Sequence, residues 1–227
     1  MIGLRKVRRM YNPHKLVREI NFLIGYLVEC GLANDQNTAF QKTLSEERTS
    51  VTFHGAENAT IALKKRPYSE IYYELFHLRA FSVVMLDGAL VQMMYMFKGF
   101  EIEQHRLAYF HNPDLELFQN NPDIYLQDEI HADIVARHIF GFPFRFDFDA
   151  RPGRYETVRH PKSHFTLGQY EKCRIPVTQP VGPAQFVDFV LRNFYDTKFT
   201  NNLPKAREKF NESIDATERT LVHVRIP

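Results

Sequence analysis

Residues 144–149 alternate strictly between aromatic and charged side chains and read Phe-Arg-Phe-Asp-Phe-Asp. Successive side chains of a β-strand point to opposite faces of a sheet, so this pattern predicts a strand with one buried face. The three phenylalanines, Phe144, Phe146 and Phe148, would then point into the core. The charged residues would lie together on the other face: Arg145, Asp147 and Asp149.

The chain after this strand turns and comes back. Arg151-Pro152-Gly153 is a turn sequence, and Ser163–Val177 is predicted to be extended and to pair with the first strand. On the returning strand His164 and Thr166 share a face, because side chains repeat every second residue. The sequence therefore predicts that carboxylates and imidazoles converge across two neighbouring strands.

Helical periodicity occurs near both ends of the chain, and strand-like runs lie between. Asn12-Pro13 begins an amphipathic helix that ends at Gly31, and Gly182-Pro183 begins a second helix. Asp87-Gly88 is a hairpin turn. The order of elements predicts an α+β fold: a mostly antiparallel sheet with an N-terminal helix and one or two C-terminal helices packed on it. Further strands are predicted at Ser50–His54, Thr60–Lys64, Ser82–Leu86, Ala89–Phe97, Gln104–His111 and Thr220–Ile226, further helices at Asp128–Ile139 and Leu203–Ser213, and either state at Ile71–Phe76.

The length of 227 residues fits a single α+β domain. The longest apolar stretch, around Val83–Phe97, is too short and too polar to span a bilayer, and the N-terminus lacks an apolar signal core. We therefore expect a cytoplasmic protein without membrane contact. Cys30 and Cys173 are predicted to be buried, reduced thiols. The domain is predicted to have three segments: a basic helical segment 1–33, a β-rich middle 50–180 and a helical segment 183–215.

The convergence of His, Asp and Arg near the two predicted strands is typical of two chemistries. Histidine beside a cation cleaves RNA without a metal when a base removes the 2′-hydroxyl proton and a cation stabilises the phosphorane. Alternatively, Asp147, Asp149 and His164 would hold a divalent metal for hydrolysis. A third interpretation is a charged strand face with Arg–Asp pairs across the ladder. The candidate catalytic residues are His164, Asp147, His160, Asp149 and Arg145; no cofactor is certain.

Clusters of basic residues predict contact with phosphates or with an acidic partner. Motifs for nucleotide cofactors, phosphate-binding loops and zinc sites do not occur in the sequence. The interpretation of each run as a solvated face stays open. The predicted nucleic-acid-binding residues are Arg151, Arg154, Arg159, Lys162, Arg5, Lys6, Arg8 and Arg9.

An Arg-x-x-x-x-His spacing occurs at Arg106–His111 and at Arg159–His164. It resembles the catalytic motif of helical HEPN ribonucleases, in which a helix brings Arg and His to one face. Pro161 argues against a helix in the second copy, and the first copy reads as a strand. His131 with His138 on the predicted helix 128–139 is a further candidate pair.

The stretch "RFDFDA…RHPKSHFTLGQYEKCRIPV", followed by "FVDFVLRNFY", resembles the bacterial family called domain of unknown function 2290 over most of the chain. The Arg145-Phe146-Asp147 strand also resembles TumE-type toxins of toxin–antitoxin pairs. In that comparison Pro161, His164 and Gly168 approximate the second strand, Thr166 takes the place of its second histidine, and His160 would substitute.

These features predict a nucleic-acid-acting effector, a ribonuclease-like toxin or an anti-phage defence protein, with RNA preferred to DNA. The alternative is a non-enzymatic subunit that binds nucleic acid or a partner protein of the same operon. A structural protein that binds a partner through exposed tyrosines is the third hypothesis.

Overall fold

A computed structural model describes residues 11–114, 141–195, 203 and 210–227. The N-terminal helix α1, Pro13–Glu29, begins where Asn12 accepts a hydrogen bond from the backbone N–H of His14 at 2.9 Å. Its apolar stripe, Leu16, Ile20, Leu23, Ile24 and Leu27, is buried. The helix ends at Cys30 and Gly31, and Gly31 has a left-handed φ of 68°.

The described strands of the sheet are β1 Ala33–Gln36, β2 Phe40–Thr43, β3 Arg48–Thr52, β4 Val83–Met85, β5 Leu90–Lys98, β6 Glu101–Phe110, β7 Pro143–Asp149, β8 Ser163–Leu167 and β9 Ile175–Pro176. They form one sheet in the order β1-β4-β5-β6-β7-β8-β9, and the β2–β3 hairpin pairs with β5 through β3. All pairings between these strands are antiparallel. The predicted α+β fold class with a mostly antiparallel sheet is therefore confirmed.

The two faces of the sheet differ in what covers them. On the first face, Phe144 and Phe146 of β7 are in the main core with residues of α1 and of helix α3, Pro183–Val190. Helix α2, Tyr68–His77, covers one end of the second face in a smaller apolar cluster. A 3-10 helix, Ala56–Leu63, precedes α2. The rest of the second face of β6, β7 and β8 is polar. The prediction that Phe144, Phe146 and Phe148 point into the core is confirmed, since all three are buried.

The Asp87-Gly88 hairpin is confirmed between β4 and β5, with Gly88 at a left-handed φ of 82°. The strand predicted at Thr60–Lys64 is wrong, because residues up to Leu63 form the 3-10 helix. Ile61 enters the cluster around α2 there, so apolar packing overrides the local strand pattern. The ambiguous run Ile71–Phe76 lies in α2.

Several other predictions have mixed outcomes. Only the first five residues of Ser163–Val177 pair with β7, because Gly168 turns at a φ of 60°. The strand predicted at Thr220–Ile226 is reduced to a single parallel bridge between Val177 and Val224. Cys30 and Cys173 are free thiols, but they are half-buried. The predicted helix 128–139, its histidine pair, and most of the predicted helix 203–213 lie outside the described residues.

Helix α3 continues into a π-helical turn, Leu191–Tyr195. Within the described parts of the chain, no helix has the length and apolar character needed to cross a membrane.

Candidate functional site

A row of charged side chains crosses three strands on the second face of the sheet. Arg106 of β6, Asp147 of β7 and His164 of β8 are register partners, so their side chains lie side by side. Arg145 lies two residues before Asp147 and opposite Thr166. We call Arg106, Arg145, Asp147 and His164 the charged row. The prediction that Asp147 and His164 converge across neighbouring strands is thereby confirmed.

Asp147 is at the centre of the charged row. Its Oδ1 accepts a hydrogen bond from Nε of Arg106 at 3.2 Å, and its Oδ2 lies 3.3 Å from Nε of Arg145. Burial acts to raise the pKa of Asp147, but the charges of Arg106 and Arg145 outweigh burial and lower that pKa. Asp147 is therefore an ionised, paired carboxylate.

His164 is buried below this carboxylate, with a side chain only 4% exposed. Its Nδ1 lies 2.9 Å from the carbonyl oxygen of Pro161. A carbonyl oxygen only accepts, so Nδ1 carries the hydrogen and Nε2 is left as an acceptor 4.0 Å from Oδ2 of Asp147. Burial lowers the pKa of His164 to about 4 although Asp147 acts to raise it, so the ring is neutral at pH 7.

His160 is the more accessible of the two histidines. It is half-buried, and its ring centroid lies 4.9 Å from that of His164 in an edge-to-face arrangement. Burial, followed by the charge of Arg174, lowers the pKa of His160. The same Arg174 charge acts on His164 and on Arg145. Arg174 is therefore close enough to both histidines and to the charged row to influence all of them.

Asp149 lies on the same face but is neutralised by Arg151. The guanidinium donates from Nε to Oδ1 at 2.9 Å and from Nη2 to Oδ2 at 2.5 Å. Burial acts to raise the pKa of Asp149, but the hydrogen bonds from Arg151 outweigh it and lower the pKa. Asp149 and Arg151 therefore form a structural pair at the end of β7.

The connection between β7 and β8 carries the other predicted phosphate-binding residues. Arg154 and Arg159 are exposed, and Nζ of Lys162 lies 4.4 Å from the ring centroid of Tyr155. Val158, a β-branched residue, has a left-handed φ of 69°, a backbone conformation that is costly for such a side chain.

Glu218 anchors this connection from the C-terminal segment. Glu218 is only 3% exposed, and its carboxylate accepts hydrogen bonds from the backbone N–H groups of Val158 and Asp215, each at 3.2 Å. The strained turn is thus fixed beside the exposed arginines. The predicted binding residues Arg5, Lys6, Arg8 and Arg9 lie outside the described residues.

The alternative of a divalent metal at Asp147, Asp149 and His164 gains no support from the geometry. Arginines bind both carboxylates. Throughout residues 11–114, 141–195 and 210–227, no group of three or more His, Cys, Asp or Glu side chains is placed to hold a metal ion.

The Arg106–His111 spacing does not form a helical ribonuclease site. Arg106 is in β6, and His111 follows the last residue of that strand. Positions five apart on extended chain point to opposite faces. His111 instead approaches the carbonyl oxygen of Phe142 through Nδ1 at 2.7 Å. In the second copy, Arg159 lies in the turn and His164 in β8, which excludes a shared helix face.

The sequence does not predict Arg106 or Arg174 as residues of this site. Arg106 is singled out there only by the HEPN-like spacing. A pairing of the strands 104–111 and 144–149 with the correct register would have indicated Arg106. The position of Arg174 depends on the connection between β8 and β9, for which the sequence has no comparable signal.

A protein-family model described as "Uncharacterized conserved protein (DUF2290)" matches residues 32–226. The chain belongs to this family. Searches of curated proteins and of solved structures gave no match. The matched range of the DUF2290 chain includes every strand of the sheet, both histidines and the entire charged row.

Proposed function

We propose that this DUF2290 protein acts on nucleic acid in the cytoplasm, as a ribonuclease-like effector in toxin–antitoxin or anti-phage defence. The observation that carries the proposal is the half-buried His160, which lies over the neutral His164 and within the field of Arg174. A neutral imidazole supplies a general base and an unpaired arginine supplies a counter-charge, two roles that serve metal-independent phosphodiester cleavage.

His160 is the proposed base because it is the histidine that reaches solvent. It takes the proton of a ribose 2′-hydroxyl, and the O2′–P bond forms as the P–O5′ bond breaks. The leaving 5′-oxygen takes a proton from water, which gives a 2′,3′-cyclic phosphate and a 5′-hydroxyl end. Arg174 stabilises the charge on the phosphorane oxygens. His164 is a positioning residue: it is too buried to touch the substrate, and it packs under the ring of His160.

The pH dependence of cleavage follows from the lowered pKa of His160. A base must be unprotonated, so the rate should be flat near pH 7 and should fall at acidic pH, below the ordinary histidine value of 6.5. A profile that rises steeply above pH 7 would contradict the assignment of His160 as the base.

The alternative is a protein that binds nucleic acid without cleaving it, alone or with a partner protein. Two observations favour it. Arginines pair with Asp147 and Asp149, so these carboxylates are structural rather than free for chemistry. Arg154 and Arg174 have no ion-pair partner among the described residues, so their charges can meet phosphates. Each neutralised phosphate of a single strand contributes about −0.7 to the slope of log affinity against log salt. Replacement of Arg174 with alanine should therefore make this slope shallower by about 0.7.

The test measures turnover and binding of an end-labelled oligoribonucleotide, with EDTA and with Mg²⁺. The variants are His160→Ala and His160→Gln, and the matched control is His77→Ala, because His77 is exposed on α2. Loss of turnover with retained binding in the His160 variants supports cleavage. Salt-dependent binding without turnover by the wild-type protein supports the alternative, and absence of both overturns the nucleic-acid proposal.

A further inference from the structure

A cavity of about 630 Å³ adjoins the charged row on the second face of the sheet. Arg145 and Thr166 line its sheet side, residues 62–67 form one wall, and residues 168–171 with Arg174 form the other. Gln169 ties the two walls together, because its side-chain amide donates to the carbonyl oxygen of Arg66 at 3.0 Å. The cavity is of a size typical for small-molecule sites.

The cavity is strongly cationic. Among the described residues, the lining has one acidic side chain, Glu171, and five cationic side chains, which gives a net charge of +4. The cationic residues are Lys64, Lys65, Arg66, Arg145 and Arg174. Glu171 pairs with Lys65 at 2.5 Å, and Glu74 of α2 pairs with Lys64 and Arg66. The described residues offer no ion-pair partner to Arg174. A positive potential with one unpaired guanidinium favours an anionic ligand.

Two buried polar groups at the sheet side of the cavity have no hydrogen-bond partner in the part of the chain that the structure describes. Thr166 is only 2% exposed, and its Oγ1 makes no hydrogen bond. Nε of Arg145 also makes no hydrogen bond, although it lies 3.3 Å from Oδ2 of Asp147. Buried polar groups without partners are costly and uncommon, so the Thr166 hydroxyl, which has neither a hydrogen bond nor an ion pair, indicates a ligand that supplies an acceptor oxygen.

We propose that this cavity binds the phosphate group of a nucleotide, with Thr166 and Arg145 as donors and Arg174 as counter-charge. The nucleotide is either a free mononucleotide or the phosphorylated end of a strand. Tyr170, 73% exposed at the rim, offers a ring on which a base stacks. Only the nucleoside part of this inference rests on the proposed function. The phosphate part rests on the cavity itself.

The experiment titrates the full-length protein by calorimetry with adenosine 5′-monophosphate, inorganic phosphate, and a decaribonucleotide carrying either a 5′-phosphate or a 5′-hydroxyl. The key variant is Thr166→Val, which removes the hydroxyl at nearly constant volume. Because Oγ1 makes no hydrogen bond within the described residues, this variant should unfold at a denaturant midpoint no lower than that of the wild type. Arg174→Ala tests the cavity independently, and Arg192→Ala removes the same charge from the π-helical turn as a matched control.

A lost hydrogen bond to a charged group corresponds to about a ten- to hundredfold weaker affinity, which is the change expected for phosphate-bearing ligands in Thr166→Val. If Thr166→Val weakens the binding of free nucleotide and of 5′-phosphorylated RNA equally, both are ligands of the cavity. A 5′-phosphate that does not improve RNA binding identifies the free nucleotide as the ligand. The proposal is overturned if neither cavity variant weakens any phosphate ligand relative to Arg192→Ala.

The two proposals fail in different ways. If nucleotide binding depends on Thr166 but RNA is not turned over, the cavity proposal is supported and the cleavage proposal is rejected. If turnover depends on His160 but no phosphate ligand binds more weakly to the Thr166 and Arg174 variants, the cleavage proposal is supported and the cavity proposal is rejected.

Discussion

The neutral, buried state of His164 has a measurable cost in acid. The pKa of His164 falls from an ordinary value of 6.5 to about 4 in the folded protein, so the unfolded chain binds the proton more tightly than the native state. Stability is therefore complete above pH 6.5 and is lost as the pH falls toward 4. Through the difference between these two pKa values, this one residue lowers the free energy of unfolding by about 2 kcal/mol when the pH falls from about 7 to about 5.

The substitution that isolates this term is His164→Asn. Asparagine keeps a side-chain N–H donor for the carbonyl oxygen of Pro161 but cannot titrate. The free energy of unfolding is measured by urea denaturation at several pH values, for the wild type and the variant. The variant should be less stable at pH 7 through imperfect packing, yet its loss from pH 7 to pH 5 should be smaller by about 2 kcal/mol.

Other buried groups also titrate in acid, and the difference between the two curves removes their contribution. His105 is one such group, because burial lowers its pKa to about 3. His77→Asn makes the same substitution at an exposed position of α2 and is the matched control. Parallel curves for the wild type and His164→Asn would refute the neutral, buried assignment of His164.

Three further substitutions test individual contacts of the fold by denaturant unfolding. Asp147→Asn should cost about 3 kcal/mol, because it leaves two largely buried arginines without their counter-charge. Gly88→Ala should cost about 1–3 kcal/mol, since the residue has a left-handed φ of 82° and a Cβ would lie 2.5 Å from Nδ2 of Asn112. Tyr195→Phe should cost about 1–3 kcal/mol, because it removes the hydroxyl that donates to the buried Asp87 at 2.7 Å. A loss below about 0.5 kcal/mol in any of them would contradict the corresponding contact.

The alternation at 144–149 was sufficient to predict the orientation of β7. A period of two leaves one solution when three phenylalanines must be buried, and the same period fixes Asp147 and Arg145 on the opposite face. The convergence of His164 with Asp147 followed because β8 comes next after β7 in the sequence and pairs with it, across the connection of residues 150–162. Local pattern is informative where the partner strand is near in sequence.

The parts that the sequence did not predict depend on long-range register or on covering segments. Arg106 meets Asp147 only through the pairing of β6 with β7, which residues 111–142 separate. Strands β1 and β2 are short and mostly polar, so neither has the apolar alternation that would mark it. The run Thr60–Lys64 resembles a strand, but it turns to bury Ile61 against α2 and then forms a wall of the cavity.

The polar side chains on the second face of β7 carry a free-energy cost of burial that the apolar side chains on the first face do not. A buried ion pair is commonly no more stabilising than apolar side chains of the same volume, and unpartnered donors such as the Thr166 hydroxyl add a further penalty. Apolar residues at 145, 147 and 166 would therefore stabilise the sheet at least as well. Because folding does not require these groups, the anionic ligand proposed for the cavity accounts for their presence.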